Sequence, residues 1–153
     1  MVNYARNNYT SSVFYRIQVV ARYCRATSLL FFENLTDEIA MDEFTILNIL
    51  ALNPQLCQRD LAKVIFKDRA TTGRLLNSLE AKGFIARHAD TRNNRLIRKM
   101  DITDKGEEIL NKLQPIIDKA TKLFETQFDP EEIEVVKKFL VKMRDYLKKN
   151  RKM

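Results

Sequence analysis

The 153-residue chain has one histidine, His88, two cysteines, three glycines and three prolines. A single histidine leaves no His-based metal cluster and no obvious proton relay, so no bound metal is expected. Two cysteines in a helix-rich chain point to a reducing compartment with free thiols. So few glycines and prolines leave little room for long loops. Neither a G-x-S-x-G nucleophile elbow nor a Gly-rich phosphate loop is present. The acidic residues scatter over helix surfaces. No run approaches the roughly 18 apolar residues of a membrane span, and the first twelve residues, MVNYARNNYTSS, lack the apolar core of a signal peptide. The expectation is a cytoplasmic protein that is no enzyme, carries no cofactor and has no membrane partner.

What is present is ordinary globular hydrophobic content, 45%, and an uneven charge. Leu56 to Met100 carry 11 Lys/Arg and 4 Asp/Glu, a net of +7. The remaining residues hold 16 of each sign, so this one segment accounts for the whole formal charge of +7. A basic lobe on an otherwise balanced molecule is an electrostatic footprint for nucleic acid.

Helical spacing governs most of the chain. Val13, Phe14, Ile17, Val20, Ala21, Cys24 and Phe31 recur along Ser12 to Asn34, followed by the apolar run Leu29 to Phe32. That surface exceeds what one side of a lone helix buries, which points to a partner chain. Asp42 can cap a second helix with Phe44, Leu47, Leu50 and Ala51 on one face, and Asn53-Pro54 stops it. A third helix after Cys57 would bury Leu61, Ala62 and Ile65. After the turn Phe66-Lys67, Asp68 can cap a fourth, Arg69 to Lys82, with Thr72, Leu75, Leu76 and Leu79 inward and Gly83 as its left-handed stop. Two helices joined so tightly make a helix-turn-helix. Phe84 to Arg87 and Leu96 to Ile102 read as strands joined by a polar tip, Ala89 to Arg95. Thr103 opens a fifth helix with Ile109, Leu113, Ile116, Ile117, Ala120 and Phe124 inward and a kink or loosened turn at Pro115. Asp129-Pro130 starts the last helix, striped by Ile133, Val136, Leu140, Met143 and Leu147. A basic tail, Lys148 to Lys152, closes the chain.

This order of elements resembles the MarR family of bacterial transcriptional regulators. The resemblance rests on Q-R-D-L-A at Gln58 to Ala62, D-R-A-T-T-G-R-L-L-N-S-L-E-A-K-G-F-I at Asp68 to Ile85, D-T-R at Asp90 to Arg92 and I-T-D-K-G at Ile102 to Gly106. It implies a mainly α fold with a small β-hairpin wing: a winged helix-turn-helix lobe over residues 40–102, with helical dimerisation segments over 1–36 and 103–153 of a single 1–153 domain. It implies a homodimer on a palindromic double-stranded operator, usually a repressor released by a small ligand or by oxidation. Four departures stand out. Ala40 replaces a capping Thr, with Asp42 expected to take over. Cys57 replaces a Ser or Thr cap, and Gly73 interrupts the recognition helix. The wing admits two registers, so either Arg92 or Arg95 can be its tip contact.

The outer face of the recognition helix carries Arg69, Ala70, Thr71, Gly73, Arg74 and Asn77. Arg can grip guanine and Asn adenine with paired hydrogen bonds in the major groove, and Ala70 or Thr71 can touch a thymine methyl. Gly73 costs about 1 kcal/mol against Ala, which close approach to DNA would justify. At the wing, Arg92 or Arg95 suits a narrow minor groove, with Asp90 holding one of them and Asn93 and Asn94 at the tip. Arg59, Lys63, Lys67 and Lys99 are expected on phosphates, which set register but not sequence. An effector site is expected on the first helix at Phe14, Tyr15, Ile17 and Phe31 with Phe44 of the second. Two alternatives stand beside these: redox sensing through Cys57, whose helix N-terminus and neighbouring Arg59 favour thiolate, or Cys24; and a winged helix used for protein–protein assembly.

Overall fold

The computed structural model describes residues Tyr9 to Asn150; the first eight residues and the Arg151-Lys152 end of the basic tail lie outside the described residues. After a short 3-10 turn, Tyr9–Ser11, come α1 (Val13–Leu35), α2 (Met41–Leu52), α3 (Gln58–Val64) and α4 (Arg69–Ala81). The hairpin β1 (Ile85–Arg92) and β2 (Arg95–Ile102) follows, then α5 (Asp104–Glu125) and α6 (Pro130–Lys149). Two compact units are present, residues 1–107 and 108–153.

The core of the first unit draws on α1 to α4 and the hairpin. α1 supplies Phe32, α2 Phe44, Ile46, Leu47 and Leu50, α3 Leu61, and α4 Thr72, Leu76 and Leu79. The hairpin adds Ile85 and Met100 at its root, with Phe84 just before it. Full burial of each such apolar side chain stabilises by roughly 1.5–3 kcal/mol. Phe32 and Phe44 meet with ring centroids 5.3 Å apart, which seats α1 on α2. Phe32 is the one side chain that α1 buries. Val13, Phe14, Val20, Tyr23 and Leu30 stand exposed along it.

Asp42 does not cap α2. Ala40 occupies the N-cap position, and the Glu43 carboxylate reaches back to accept its N–H at 2.9 Å. Asp42, in the first turn, instead pairs with Arg25 at 3.0 Å and Lys67 at 3.2 Å. Those cations come from α1 and from the α3–α4 turn, which no local pattern reports. The hydrogen bond from Arg25, ahead of the one from Lys67, holds the Asp42 carboxyl below its ordinary range despite partial burial. The α3–α4 turn reverses through Phe66 at φ 53°, a left-handed conformation taken without a glycine. Asp68 then caps α4 as expected, accepting from Thr71 N–H at 2.8 Å.

The hairpin is longer and tighter than its polarity suggested. Strand pairing runs from Ile85↔Ile102 to Arg92↔Arg95. The tip is Asn93-Asn94 alone, at φ 52° and 58°, the left-handed pair that a two-residue turn demands. Ala89 to Arg92 are therefore strand, not loop. At the root, Thr103 donates to the Gly83 carbonyl at 2.6 Å and accepts from Gly106 N–H at 3.1 Å. Any Cβ on Gly106 would overlap the Phe84 carbonyl oxygen, so only glycine lets α5 start against the hairpin.

In the second unit, α5 runs through Pro115 as one helix and α6 is capped by Asp129, which accepts from Glu131 N–H at 2.7 Å. Ile109 and Leu113 are buried, but Ile116 and Phe124, expected inward, are exposed. α6 buries nothing at all: Val136, Leu140 and Leu147 of its stripe are exposed, as are Val135, Phe139 and Tyr146 beside them. Such a surface wants a partner.

Glu43 is 3% exposed and accepts from Lys82 Nζ at 2.6 Å, tying α2 to the end of α4. Burial opposes its ionisation. Hydrogen bonds from Lys82, Ser78 and the Ala40 N–H outweigh that and hold its pKa below the ordinary 4.5. A carboxyl depressed on folding stabilises fully above its unfolded pKa, and loses that contribution as pH falls through the folded one. Glu43→Gln is expected to cost about 1–2 kcal/mol at pH 7, discounted because Lys82 is partly exposed. The gap should close as pH falls below 4.5. Thermal melts of both proteins across this range check it; a gap that widens on acidification contradicts it.

Candidate nucleic-acid interface

α3, α4 and the hairpin enclose an open groove of about 830 Å³. Six arginines line it, Arg59, Arg69, Arg87, Arg92, Arg95 and Arg98, and no acidic side chain does. Asp60 and Glu80 sit behind this wall and hold two of the six. Arg92 Nη2 is 2.7 Å from Asp60 Oδ2. Arg87 Nε is 3.0 Å from Glu80 Oε2. Arg92 and then Cys57 hold the Asp60 carboxyl below its ordinary range, and Arg87 does the same for Glu80.

Arg69, Gly73 and Asn77 line the groove at helical spacing. Ala70 and Arg74 stand exposed on the next stripe outward. Arg74 is held in place: Nη2 donates to Thr71 Oγ1 at 3.2 Å, and the Thr71 hydroxyl donates to Asp68 at 2.8 Å. The Thr71 hydroxyl is thus occupied within its own helix. Asn77 Oδ1 accepts from Arg87 at 2.7 Å.

At the wing, the acid that holds an arginine is Asp60 of α3, not Asp90. Asp90 accepts from Thr91 N–H at 2.7 Å and lies 3.7 Å from Lys99. It cannot also serve the tip, because it is three strand residues back from the turn. Arg95 has no hydrogen-bond or ion-pair partner among the described residues, and it lines the groove beside Asn93. Asn94 shares the turn. Arg59 and Lys63 project from α3 with no such partner among the described residues either. Lys67 and Lys99 are engaged by Asp42 and Asp90.

Arg87 and Arg98 are groove residues that sequence reasoning passed over, since both read there as ordinary strand positions. Their signal was position: Arg87 lies on β1, which packs against the recognition helix, and Arg98 on β2, which packs against α3.

The expected effector set does not come together. Phe14 and Phe31 lie 17 residues apart on α1, roughly 25 Å at 1.5 Å per residue. Phe14 is exposed, Tyr15 and Ile17 are half-buried near it, and Phe44 is core. Cys24 is exposed and Cys57 buried. The arginine beside Cys57 is Arg92, at 3.7 Å, and the thiol donates to Asp60 at 3.1 Å. Among the described residues no group of three or more His, Cys, Asp or Glu could hold a metal ion. Among them, too, no helix is long and apolar enough to cross a membrane.

A two-helix corner followed by a β-hairpin, with one helix face open beside that hairpin, defines a winged helix-turn-helix. The family model for MarR matches residues 39–97, the span of that lobe. The uncharacterized HTH-type transcriptional regulator YybA of Bacillus subtilis (strain 168) is 29% identical over 143 residues, covering 89% of this chain and 93% of YybA. The Staphylococcus aureus MepR–DNA complex superposes with a TM-score of 0.73 at 24% identity, over 92% of this chain and 99% of that one. PcaV of Streptomyces coelicolor, solved with its natural ligand, gives 0.72 at 20% identity, over 92% and 97%. These two structures establish the fold. Over residues 39–97 the winged helix-turn-helix lobe is thus similar to the MarR family of transcriptional regulators, and YybA and PcaV are themselves transcriptional regulators.

Gly73 is the one interruption in the recognition helix that packing does not require. A Cβ there would meet only Gln58 Nε2, at 3.9 Å. Gly73→Ala is therefore expected to stabilise the protein by up to about 1 kcal/mol, raising Tm by roughly 2–4 °C. A melt showing a lower Tm contradicts the open space read at this position.

Proposed function

We propose that this protein is a homodimeric, cytoplasmic repressor that binds a palindromic operator through two copies of the arginine-lined groove. The observation that carries this reading is the groove itself: six arginines beside the open face of a recognition helix, within the segment Leu56 to Met100 that holds the entire net charge. The MepR–DNA complex supports it by fold. Arg74, positioned by Thr71, is assigned a paired contact to guanine, and Ala70 a thymine methyl. Arg59, Arg69 and Lys63 are assigned to phosphates. Lys67 and Lys99 add to the field from within ion pairs. Arg95 enters the minor groove, while Arg92 anchors the wing to α3. Gly73 lets the helix backbone approach the bases.

Dimerisation accounts for the exposed apolar side chains of α1, α5 and α6, which are far more than an isolated chain leaves in water. A small aromatic or hydrophobic effector is assigned to the α1–α2 contact, where Phe31, Phe32 and Phe44 meet ring to ring. The ligand in PcaV supports this step. Such a ligand shifts the protein only by binding one spacing of the two recognition helices better than the other.

Light scattering is expected to give twice the 18.0 kDa chain mass at micromolar concentration. Duplex affinity should fall steeply with salt, because each neutralised phosphate contributes about 0.9 to the logarithmic slope. Lys63→Ala should flatten that slope by about 0.9 per subunit and weaken all duplexes alike. Arg74→Ala should cost roughly 1–3 kcal/mol on the operator and far less on random DNA. A stable monomer, or binding indifferent to salt, contradicts the reading.

A further inference from the structure

Arg87 is only 10% exposed at its side chain and is gripped by Glu80 at two points. The Arg87 N–H donates to Glu80 Oε1 at 3.2 Å and its Nε to Oε2 at 3.0 Å. Its Nη2 is shared: it donates to Glu80 Oε2 and, one turn back along α4, to Asn77 Oδ1 at 2.7 Å. Both side chains line the groove.

A guanidinium has five N–H donors and no acceptor. The Asn77 atom that faces it must therefore be the oxygen, since a flipped amide would set donors against donors. Fixing that oxygen also fixes the amide NH2, which becomes the group Asn77 offers to a base. Adenine is read by asparagine only when the amide both accepts from N6 and donates to N7. The oxygen keeps a second lone pair, but an adenine amino group reaching for it would come up against the same guanidinium. Guanine and thymine place no such donor there: they offer N7 and O6, or O4, all acceptors.

We propose that Arg87 is a specificity-determining positioning residue that turns Asn77 into a donor-only reader, selecting guanine or thymine against adenine at one operator position. This revises the adenine pairing expected of Asn77 and rests on the DNA-binding reading above. Arg87 reaches the base through Asn77. The Glu80 carboxylate, by clamping Arg87, sets the geometry.

The test selects bound duplexes from a random pool with the intact wild-type protein, Asn77→Ala and Arg87→Lys. The position whose preference disappears in Asn77→Ala is the one Asn77 reads. There the wild type should prefer guanine or thymine and disfavour adenine about tenfold. Lysine keeps a charge beside Glu80 but lacks the fork that reaches two partners. Arg87→Lys should therefore bring adenine to within about twofold while leaving preferences at other positions intact. Wild-type preference for adenine overturns the inference alone. So does an unchanged pattern in a folded Arg87→Lys, or no lost preference in Asn77→Ala. Should Arg87→Lys fail to fold, wild type against Asn77→Ala still decides by which base is lost. Absence of salt-dependent binding to any duplex overturns the DNA reading and the inference with it.

Discussion

Two carboxylates, Asp60 and Glu80, hold the wing in place. A two-stranded hairpin is marginal by itself in water, and this one fully buries apolar side chains only at its root, Ile85 and Met100, with Ile97 half-buried further out. Beyond the root it depends on Arg92 reaching Asp60, on Arg87 reaching Glu80 and on the backbone bridge between Cys57 and Lys99. Each exposed pair alone contributes little, because solvent screens it. They act on the same short element from two helices, so losing them would leave the groove with one wall. Their charge matters as well. Each acid neutralises an arginine that has a positional task, while Arg59, Arg69 and Arg95 keep theirs for an anion.

A second set of pairs organises the other side of the lobe. Asp42 gathers Arg25 of α1 and Lys67 of the α3–α4 turn, and Glu43 gathers Lys82 at the end of α4. Adjacent residues at the start of α2 thus fasten three other segments. The recognition helix is consequently fixed at both ends, by Asp68 and the Asp42–Lys67 pair at its start and by Glu43 at its finish. Its outer face is left bare, which suits a helix meant to meet DNA.

Local signals in the sequence located most of the elements. Ser12, Asp68, Gly83 and Asp129-Pro130 mark boundaries because each acts on its own neighbouring backbone, and all four do so in the structure. Ala40 hid the start of α2, because its cap comes from Glu43 three residues ahead. The wing tip was overdrawn because its polarity covers both strand ends. Asn93-Asn94, the dipeptide that tolerates two left-handed residues, carried the better signal. What could not be read was pairing at a distance. Arg92 finds Asp60 across 32 positions and Lys82 finds Glu43 across 39. No periodicity encodes such partners, and they decide which arginine anchors and which is free. Helical spacing likewise put Phe14 and Phe31 on one stripe of α1 without saying how far apart along it they lie.

On this geometry the wing is a preformed wall of the groove, clasped to α3 before any nucleic acid arrives. Amide hydrogen exchange on the unbound protein checks it. Protection is expected throughout 85–102, out to the Asn93-Asn94 turn. Asp60→Asn is expected to accelerate exchange over 90–97 by about fivefold, while α4 is unchanged. A wild-type hairpin that exchanges at unfolded rates beyond its root would contradict the account, as would an Asp60→Asn wing indistinguishable from wild type.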